Sequence, residues 1–256
     1  MKRKYLPFLI ILSLLVLAGC TGRSSSDKDS QSGNDTISVP DTGYTGITQY
    51  MSQSRIVSEV TFKNGIREGL MKTFYQDGKL RITFWYENGL REDSSKFYHP
   101  DGKLFRSTPY KHDTIDGTQI QYYKNGRIKA RLNYVKGLRT PSLEEFTPDG
   151  KLVGGYPELV VNTRDEYQSR GVYRISLELS NKSPKVKYYR GDLYNGLYDT
   201  SRCEVIKNLK GIGNLDLKKT GTPKADYVGV IAEIVTDYGN HLIVYRKIDL
   251  PYKDLD

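Results

Sequence analysis

Four short stretches decide the fold: FYQDGKL at 74–80, YHPDGKL at 98–104, YYKNGRI at 122–128 and FTPDGKL at 146–152. Their glycines lie 24 residues apart. A second series with the same spacing is interleaved with the first, as FKNG at 62–65, YENG at 86–89, YKHD at 110–113 and YVKG at 134–137. Two interlocked series in one phase indicate a repeat protein.

Each unit of this repeat predicts a β-hairpin. Asp-Gly and Asn-Gly pairs supply the positive φ angles of tight turns, and they separate short runs of aromatic and β-branched residues. The alternating spacing leaves room for strands of about five to seven residues between turns. Asp113 stands where the second series otherwise has glycine, and aspartate tolerates the left-handed conformation. The sequence therefore predicts an antiparallel sheet of four hairpin units.

The period also predicts which side chains share a face. Because the period is even, odd or even numbering along a strand is preserved from unit to unit. Even positions carry the predicted core residues Leu80, Ile82, Phe84, Tyr86, Ile120, Tyr122, Ile128, Ala130, Leu132 and Tyr134. Odd positions carry a candidate binding face of Tyr75, Arg81, Trp85, Phe97, Tyr123 and Arg131. Rings beside arginines suit sugars, acidic glycans or a protein surface, but cross-strand pairing or packing on a neighbouring domain is the favoured alternative.

The repeats resemble the MORN-type repeat, in its variant, antitoxin-like form. The resemblance covers residues 60–155 and lies in the recurring aromatic-x-x-(Asp/Asn)-Gly-(Lys/Arg)-(Leu/Ile) pattern. It implies a non-catalytic binding or scaffolding sheet at 55–155. The antitoxin label of that family implies a cytoplasmic partner, which disagrees with the N-terminal signal of this chain.

Residues 1–19 have the pattern of an export signal. A basic head is followed by an apolar core from Leu6 to Leu17, which is too short to span a bilayer. The sequence then reads LAGC at 17–20, which resembles the lipobox of bacterial lipoproteins. The resemblance implies lipidation of Cys20 and a membrane anchor in the cell envelope, with the outer membrane favoured and its periplasmic or external side left open. The alternative is an ordinary secretory signal with an incidental cysteine.

The segment at 20–54 is predicted to be the lipidated cysteine and a flexible tether, since it is polar and cannot bury much apolar surface. The net charge of +9 favours anionic partners and falls short of a nucleic-acid-binding stripe. Once Cys20 is acylated, only Cys203 remains, so no intrachain disulfide can form. We interpret Cys203 as a buried apolar residue rather than a nucleophile.

Residues 156–256 change character and predict a second, all-β domain. Strands are predicted at 172–179, 185–189, 203–207, 214–218, 227–236 and 241–250, separated by Gly, Pro, Asn and Asp clusters. Their number and length suggest a β-sandwich, for which an immunoglobulin-like topology is one option, although the cysteine pair and buried tryptophan of true immunoglobulin domains are missing. Outside the signal, no helix is expected.

No motif for catalysis, a cofactor or a metal is present. His99, His112 and His241 lie in or beside turns, and the carboxylate pairs at 144–145 and 165–166 are expected to point to opposite faces or to solvent. The sequence therefore predicts a non-catalytic, lipid-anchored envelope protein that binds or scaffolds a glycan or protein partner. A rigid spacer in an envelope complex and a lipoprotein immunity factor against a toxin remain open, and a carbohydrate-active enzyme is less favoured.

Overall fold

The computed structural model describes residues 42–256, so the predicted signal, Cys20 and most of the predicted tether lie outside the described residues. The first strands are β1 (Gly46–Ser52), β2 (Arg55–Lys63), β3 (Ile66–Phe74), β4 (Leu80–Glu87), β5 (Leu90–Tyr98), β6 (Leu104–Lys111), β7 (Thr114–Ile115), β8 (Gly117–Tyr122), β9 (Ile128–Val135) and β10 (Leu138–Glu145). They form one antiparallel sheet in chain order, with the short β7 paired to β6. The predicted all-β hairpin sheet is confirmed. It begins at Gly46, inside the segment for which the sequence predicts a tether.

The two turn series differ in geometry. In the second series both central residues have positive φ, as at Asn88 (50°) and Gly89 (85°), which is the two-residue turn that matches strand twist. Asp113 adopts φ 64° in place of glycine, as predicted. In the first series the glycine alone is left-handed, and the preceding Asp77 carboxylate accepts the Lys79 amide at 3.1 Å.

Successive units are joined through the backbone of the second-series turns. The Gly89 amide donates to the Arg67 carbonyl at 2.9 Å, and the Gly137 amide donates to the Ile115 carbonyl at 2.8 Å. Each turn thus satisfies a backbone group of the unit before it, which couples each hairpin to its neighbour.

The strand register divides the sheet into two faces, because directly opposed residues share a face. The inner face, defined by Phe84 and its paired neighbours, holds every buried residue of this sheet: Ser58, Val60, Phe62, Tyr86, Ser95, Thr108, Gln119, Ala130, Leu132 and Glu145. We call the opposite side the outer face.

The predicted odd–even rule holds for only half of the strands. Thr73 opposes Ile82, so neighbouring strands contribute residues of opposite parity to one face. Even positions face inward on β2, β4, β6 and β9, and odd positions face inward on β3, β5 and β8. The prediction of Ile120 as a core residue is therefore wrong, because Ile120 opposes Arg131 on the outer face.

The remaining elements are β11 (Leu159–Glu166), α1 (Tyr167–Arg170), β12 (Val172–Leu179), β13 (Val186–Arg190), β14 (Glu204–Ile206), β15 (Asn208–Leu209), β16 (Ile212–Lys218), β17 (Tyr227–Val235) and β18 (His241–Asp249). They form two four-stranded sheets of order β11-β12-β16-β15 and β14-β13-β17-β18. This is the strand order of immunoglobulin-type sandwiches. The one-turn helix α1 corrects the expectation that no helix occurs outside the signal. No helix among residues 42–256 is long and apolar enough to cross a membrane.

The two small sheets share one core. Ile175 and Leu177 from the first sheet meet Tyr188, Val230 and Ala232 from the second, all fully buried. The core lies between the two small sheets, which confirms the predicted β-sandwich. It contains no residue of the inner face of the repeat sheet.

A buried polar contact joins the last repeat strand to the sandwich. Glu145, fully buried, accepts hydrogen bonds from the Thr236 hydroxyl (2.8 Å), the Asn240 amide (2.7 Å) and the Tyr156 hydroxyl (2.9 Å). Gln121 adds a bond to Asn240 at 2.9 Å. Burial and then the bond to Glu145 raise the pKa of Tyr156, which therefore stays a donor. The described residues form one compact unit.

Candidate functional site

The outer face carries a row of directly opposed residues, one from each of nine strands. The row consists of Gln49, Glu59, Lys72, Thr83, Lys96, Ser107, Ile120, Arg131 and Glu144. All but Ile120 are polar or charged. Because the inner face already holds the buried residues, this row belongs to the side of the sheet available to a partner.

A groove with a volume of about 310 Å³ lies on the outer face, and we call it the Trp85 groove. It is lined by the outer-face residues Leu70, Thr83, Trp85, Ser94, Lys96 and Ser107 and, where the strand pairing is interrupted, by Phe84 and Asp93. A break in strand pairing accompanies it: Thr83 opposes Lys96 but Trp85 opposes Glu92, so β5 contains extra residues. Asp93 in that bulge has φ 56°. Bulges of this kind re-aim side chains and are common beside functional sites.

An exposed apolar pair forms one wall of the groove. Trp85 on β4 directly opposes Leu70 on β3, and they are 42% and 38% exposed. The Trp85 indole donates to a Glu87 carboxylate oxygen at 3.3 Å. This bond gives the indole a polar anchor at one edge while leaving the ring accessible to solvent.

The other walls are polar. Hydroxyl groups come from Thr83, Ser94 and Ser107, and the charged groups are Lys96 and Asp93. Lys96 is exposed and forms no salt bridge within residues 42–256. The groove therefore combines one accessible ring with several hydroxyls and one charge of each sign. That combination suits a polar ligand with a flat apolar side, such as a sugar.

Three of the predicted binding residues lie at exposed or outer-face positions. Trp85 lines the groove. Arg131 lies further along the outer row, where it forms an ion pair with Glu144 at 2.9 Å and its guanidinium lies 5.1 Å from the Phe146 ring centre. Arg81 is exposed at the bulge where Thr73 and Phe74 oppose residues two apart on β4. The structure does not bring Arg81 or Arg131 into the groove.

Tyr75 and Tyr123 have a different place. The Tyr75 hydroxyl donates to the Tyr98 carbonyl at 2.5 Å, and the Tyr123 hydroxyl donates to the Phe146 carbonyl at 2.6 Å. Each acceptor lies 23 residues further along the chain, in the next unit. These tyrosines therefore tie successive units together. Burial, followed by the nearby Tyr238 and Glu145, raises the pKa of Tyr123.

The predicted outward placement of Phe97 is wrong. Phe97 opposes Ile82 on the inner face, where its ring contacts Phe84 at 6.3 Å and Arg106 lies 4.5 Å from its centre. The reason is the change of parity between neighbouring strands. Phe97 thus contributes to the packing of the inner face.

The sequence prediction missed Leu70, Ser94, Lys96 and Ser107, which the register and the bulge place around Trp85. One signal was available. Asp93 occupies the repeat position of Gly69 and Gly117, both of which have positive φ. A left-handed position inside a strand pattern indicates a bulge, and an aspartate there marks this unit as different from its neighbours.

A second titratable cluster lies in the sandwich. Glu233 on β17 accepts hydrogen bonds from His241 (2.6 Å) and Tyr189 (3.2 Å). Burial opposes ionisation of Glu233, but the His241 bond and the charge of Lys187 outweigh it and lower its pKa. Glu233, His241 and Lys187 border a shallow cavity of about 270 Å³. Since the Glu233 carboxylate is already satisfied by protein donors, we interpret the cluster as part of the packing between β17 and its neighbours.

The surroundings of the remaining candidate catalytic or metal-binding residues do not favour catalysis or metal binding. Cys203 is half-buried, and burial together with Asp199 and Asp192 raises the pKa of its thiol, so it is a poor nucleophile. Glu144 and Glu145 point to opposite faces, as expected of adjacent strand residues. No group of three or more His, Cys, Asp or Glu side chains suited to a metal ion occurs within residues 42–256.

Residues 46–145 thus form an antiparallel sheet of hairpin repeats, and its buried residues all lie on one face. This places the region in the class of β-hairpin repeat proteins. The family model of the MORN repeat variant matches three segments of it, at 67–88, 94–112 and 115–136. The resemblance predicted from the sequence is confirmed for these three repeats, which include most of the Trp85 groove. No curated protein matches the chain. MORN repeats indicate a repeat-based binding or scaffolding module.

Proposed function

We propose that the mature chain is anchored to the cell envelope through lipidated Cys20 and binds a glycan through the Trp85 groove of its repeat sheet. The export signal and the LAGC stretch at 17–20 support the anchor. The MORN repeat matches support a binding module rather than a catalyst. The sandwich then acts as a rigid base for the last repeat.

The groove itself carries the proposal. An accessible indole beside three hydroxyl-bearing residues is suited to stack on a sugar ring while its hydroxyls exchange hydrogen bonds with the rim. Lys96 adds attraction for a carboxylate or phosphate substituent on the glycan, and Asp93 favours sugar hydroxyl donors. A protein partner would be expected to cover a wider and more apolar area.

The same lining argues against a glycosidase at this position. Glycoside hydrolysis ordinarily needs two carboxyl groups flanking the scissile bond, about 5 to 10 Å apart. The groove lining contains one, Asp93, and the carboxylate beside it, Glu87, is already engaged by the Trp85 indole at 3.3 Å. We therefore propose binding without turnover.

Trp85 is the single tryptophan of the chain, so its fluorescence reports directly on the groove. We would titrate the mature chain carrying Cys20→Ala with soluble peptidoglycan fragments and, separately, with an unbranched glucan. Binding is expected to shift the Trp85 emission to shorter wavelength and to protect it from acrylamide. An unchanged spectrum together with no uptake of the chain onto insoluble peptidoglycan would contradict the proposal.

Two variants distinguish binding in the groove from non-specific binding by exposed aromatic residues. Trp85→Ala is expected to lower retention on insoluble peptidoglycan at least tenfold, which corresponds to about 1.4 kcal/mol. Phe105→Ala is the matched control, since Phe105 is a similarly exposed aromatic (37%) outside the groove lining. Equal loss in both variants, or a nanomolar protein partner whose binding ignores Trp85→Ala, would favour a protein-directed role such as toxin immunity.

The anchor is tested independently. The wild-type chain should partition into the detergent-rich phase, and Cys20→Ala should move it to the aqueous phase. Protease treatment of intact and lysed cells then distinguishes an external from a periplasmic position. Detergent partitioning that survives Cys20→Ala would contradict lipidation at this residue.

A further inference from the structure

Strand β1 is an edge of the repeat sheet with only partial protection: the Tyr44 hydroxyl donates to the Ile47 carbonyl at 3.1 Å, and the pairing with β2 shifts register between Tyr50 and Met51. It runs GITQYMS, seven residues with no charge and no proline, and within residues 42–256 its only strand partner is β2. Ile47 and Met51 on it are 64% and 61% exposed. Natural proteins blunt such edges with charge, proline, bulges or short length, because the free amides and carbonyls can pair with another strand.

The other edges of the described residues are protected. Strand β10 contains Pro141, and its Arg139 carbonyl accepts the Tyr198 amide at 2.7 Å. Strands β11 and β18 carry charges such as Arg164 and Lys247. Strands β14 and β15 are three and two residues long. The contrast singles out β1 as the long edge strand that carries neither charge nor proline.

The residue order of β1 is complementary to itself. Ile47 opposes Thr61 and Gln49 opposes Glu59, which places positions 47, 49 and 51 on the outer face. If two β1 strands pair antiparallel about Gln49, each Ile47 lies opposite the Met51 of the other copy. Both exposed apolar side chains are then covered at once, and the two Gln49 residues meet at the twofold axis. A twofold interface requires this kind of self-complementarity.

We propose that β1 of one chain pairs antiparallel with β1 of a second copy, joining two repeat sheets into one continuous sheet. A seven-residue strand buries less than a standard protein interface, so the dimer should be weak in solution. An anchor that confines the chains to one membrane would raise their local concentration and favour pairing. The proposal does not depend on what the Trp85 groove binds.

The first test is sedimentation velocity on the mature chain carrying Cys20→Ala, from about 1 to about 200 μM. We expect a concentration-dependent dimer. Gln49→Lys places two like charges face to face at the twofold axis and should weaken dimerisation at least tenfold, whereas Val205→Lys should not. Val205 is the control, because it is as exposed as Ile47 of β1 (64%) and lies on another edge strand, the short β14.

Charge exchange tests the twofold pairing. Gln49→Lys alone and Gln49→Glu alone should each be largely monomeric, and their mixture should restore the dimer because opposite charges then meet. Circular dichroism of each variant confirms that β1 still folds. A mixture that remains monomeric, or a dimer insensitive to both substitutions, would overturn the proposal.

Crosslinking tests the register in a Cys20→Ala, Cys203→Ser background. Opposed residues have Cα atoms about 4.5 to 5.5 Å apart, within the range for a disulfide. Gln49→Cys should therefore crosslink to itself, and Ile47→Cys should crosslink to Met51→Cys faster than to itself. A wild-type chain that stays monomeric at every concentration, with no Gln49→Cys crosslink, would show that the edge is not reserved for a second copy.

Discussion

The repeat sheet and the sandwich are both antiparallel β-structures, but different forces hold them together. The sandwich has one core in which strands distant in sequence meet, as Leu177 and Val230 do. The sheet relies on neighbouring contacts: turns with positive φ, backbone bonds between units, and an inner face that holds its buried residues. The comparison teaches that a sheet held by neighbouring contacts has a whole outer face whose side chains its own packing does not use.

The largest expected difference between the two regions concerns their cores. Leu177→Ala in the sandwich should lower the free energy of unfolding by about 2–5 kcal/mol, because the side chain is fully buried and leaves a cavity. Leu70→Ala on the outer face of the sheet should cost less than about 1 kcal/mol. Urea unfolding followed by circular dichroism measures both. Equal costs would mean that the outer face is a packing surface as well.

The junction between the regions is the next test. Glu145→Ala removes the acceptor of three buried hydrogen bonds and should lower the free energy of unfolding by about 2–3 kcal/mol. Calorimetry should then resolve separate transitions for the sheet and the sandwich. The control is Glu144→Ala, which breaks only the exposed ion pair to Arg131 and should cost about 0–1 kcal/mol. A single unchanged transition in Glu145→Ala would show that other contacts couple the regions.

A smaller effect is expected at the turns of the sheet. Gly89 has φ 85°, and an added Cβ would approach the Ile66 side chain to 3.3 Å. Gly89→Ala should therefore cost about 1–2 kcal/mol. Gly154 has no positive φ and open space around it, so Gly154→Ala should change stability by less than about 0.5 kcal/mol. Thermal unfolding of both variants compares them, and similar melting temperatures would contradict a turn-based sheet.

The smallest expected effect on stability concerns Tyr75 and Tyr123, which join successive units and do not line the Trp85 groove. Tyr75→Phe and Tyr123→Phe each remove one hydrogen bond between units and should cost about 1 kcal/mol. Neither should change the glycan titration of Trp85 fluorescence. If either variant binds the glycan more weakly and keeps its stability, the tyrosine contributes to binding, as the sequence predicts, rather than to contacts between units.

Much of the fold could be predicted because its signals are local. The Asn-Gly and Asp-Gly turns fix the hairpins, and six of the eight sandwich strands follow from alternating apolar runs between turn residues. Strand β1 was missed because it follows a long polar stretch and has no repeat turn before it. Strand β11 was missed because its second half, from Asn162 to Glu166, is polar and exposed.

The candidate site could be predicted only in part, because it depends on pairing across strands. Trp85 stands out in the sequence by its size and its repeat position. The side of the sheet on which Phe97 lies depends on how a first-series turn sets the register, which periodicity alone does not determine. The contact of Glu145 with Asn240 joins residues 95 apart, and no local pattern indicates it.

Because the repeat period is constant, each unit adds the same width to the sheet and the same increment to the outer row. Each 24-residue unit adds two strands, or about 10 Å of sheet width. Duplicating one whole unit between the Trp85 groove and the sandwich would move the two apart by that step while preserving the inner and outer sides of every later strand. An insertion of odd length within a strand would instead exchange the inner and outer side chains in the rest of that strand. The distance from the sandwich to the Trp85 groove is therefore set by the number of whole units between them.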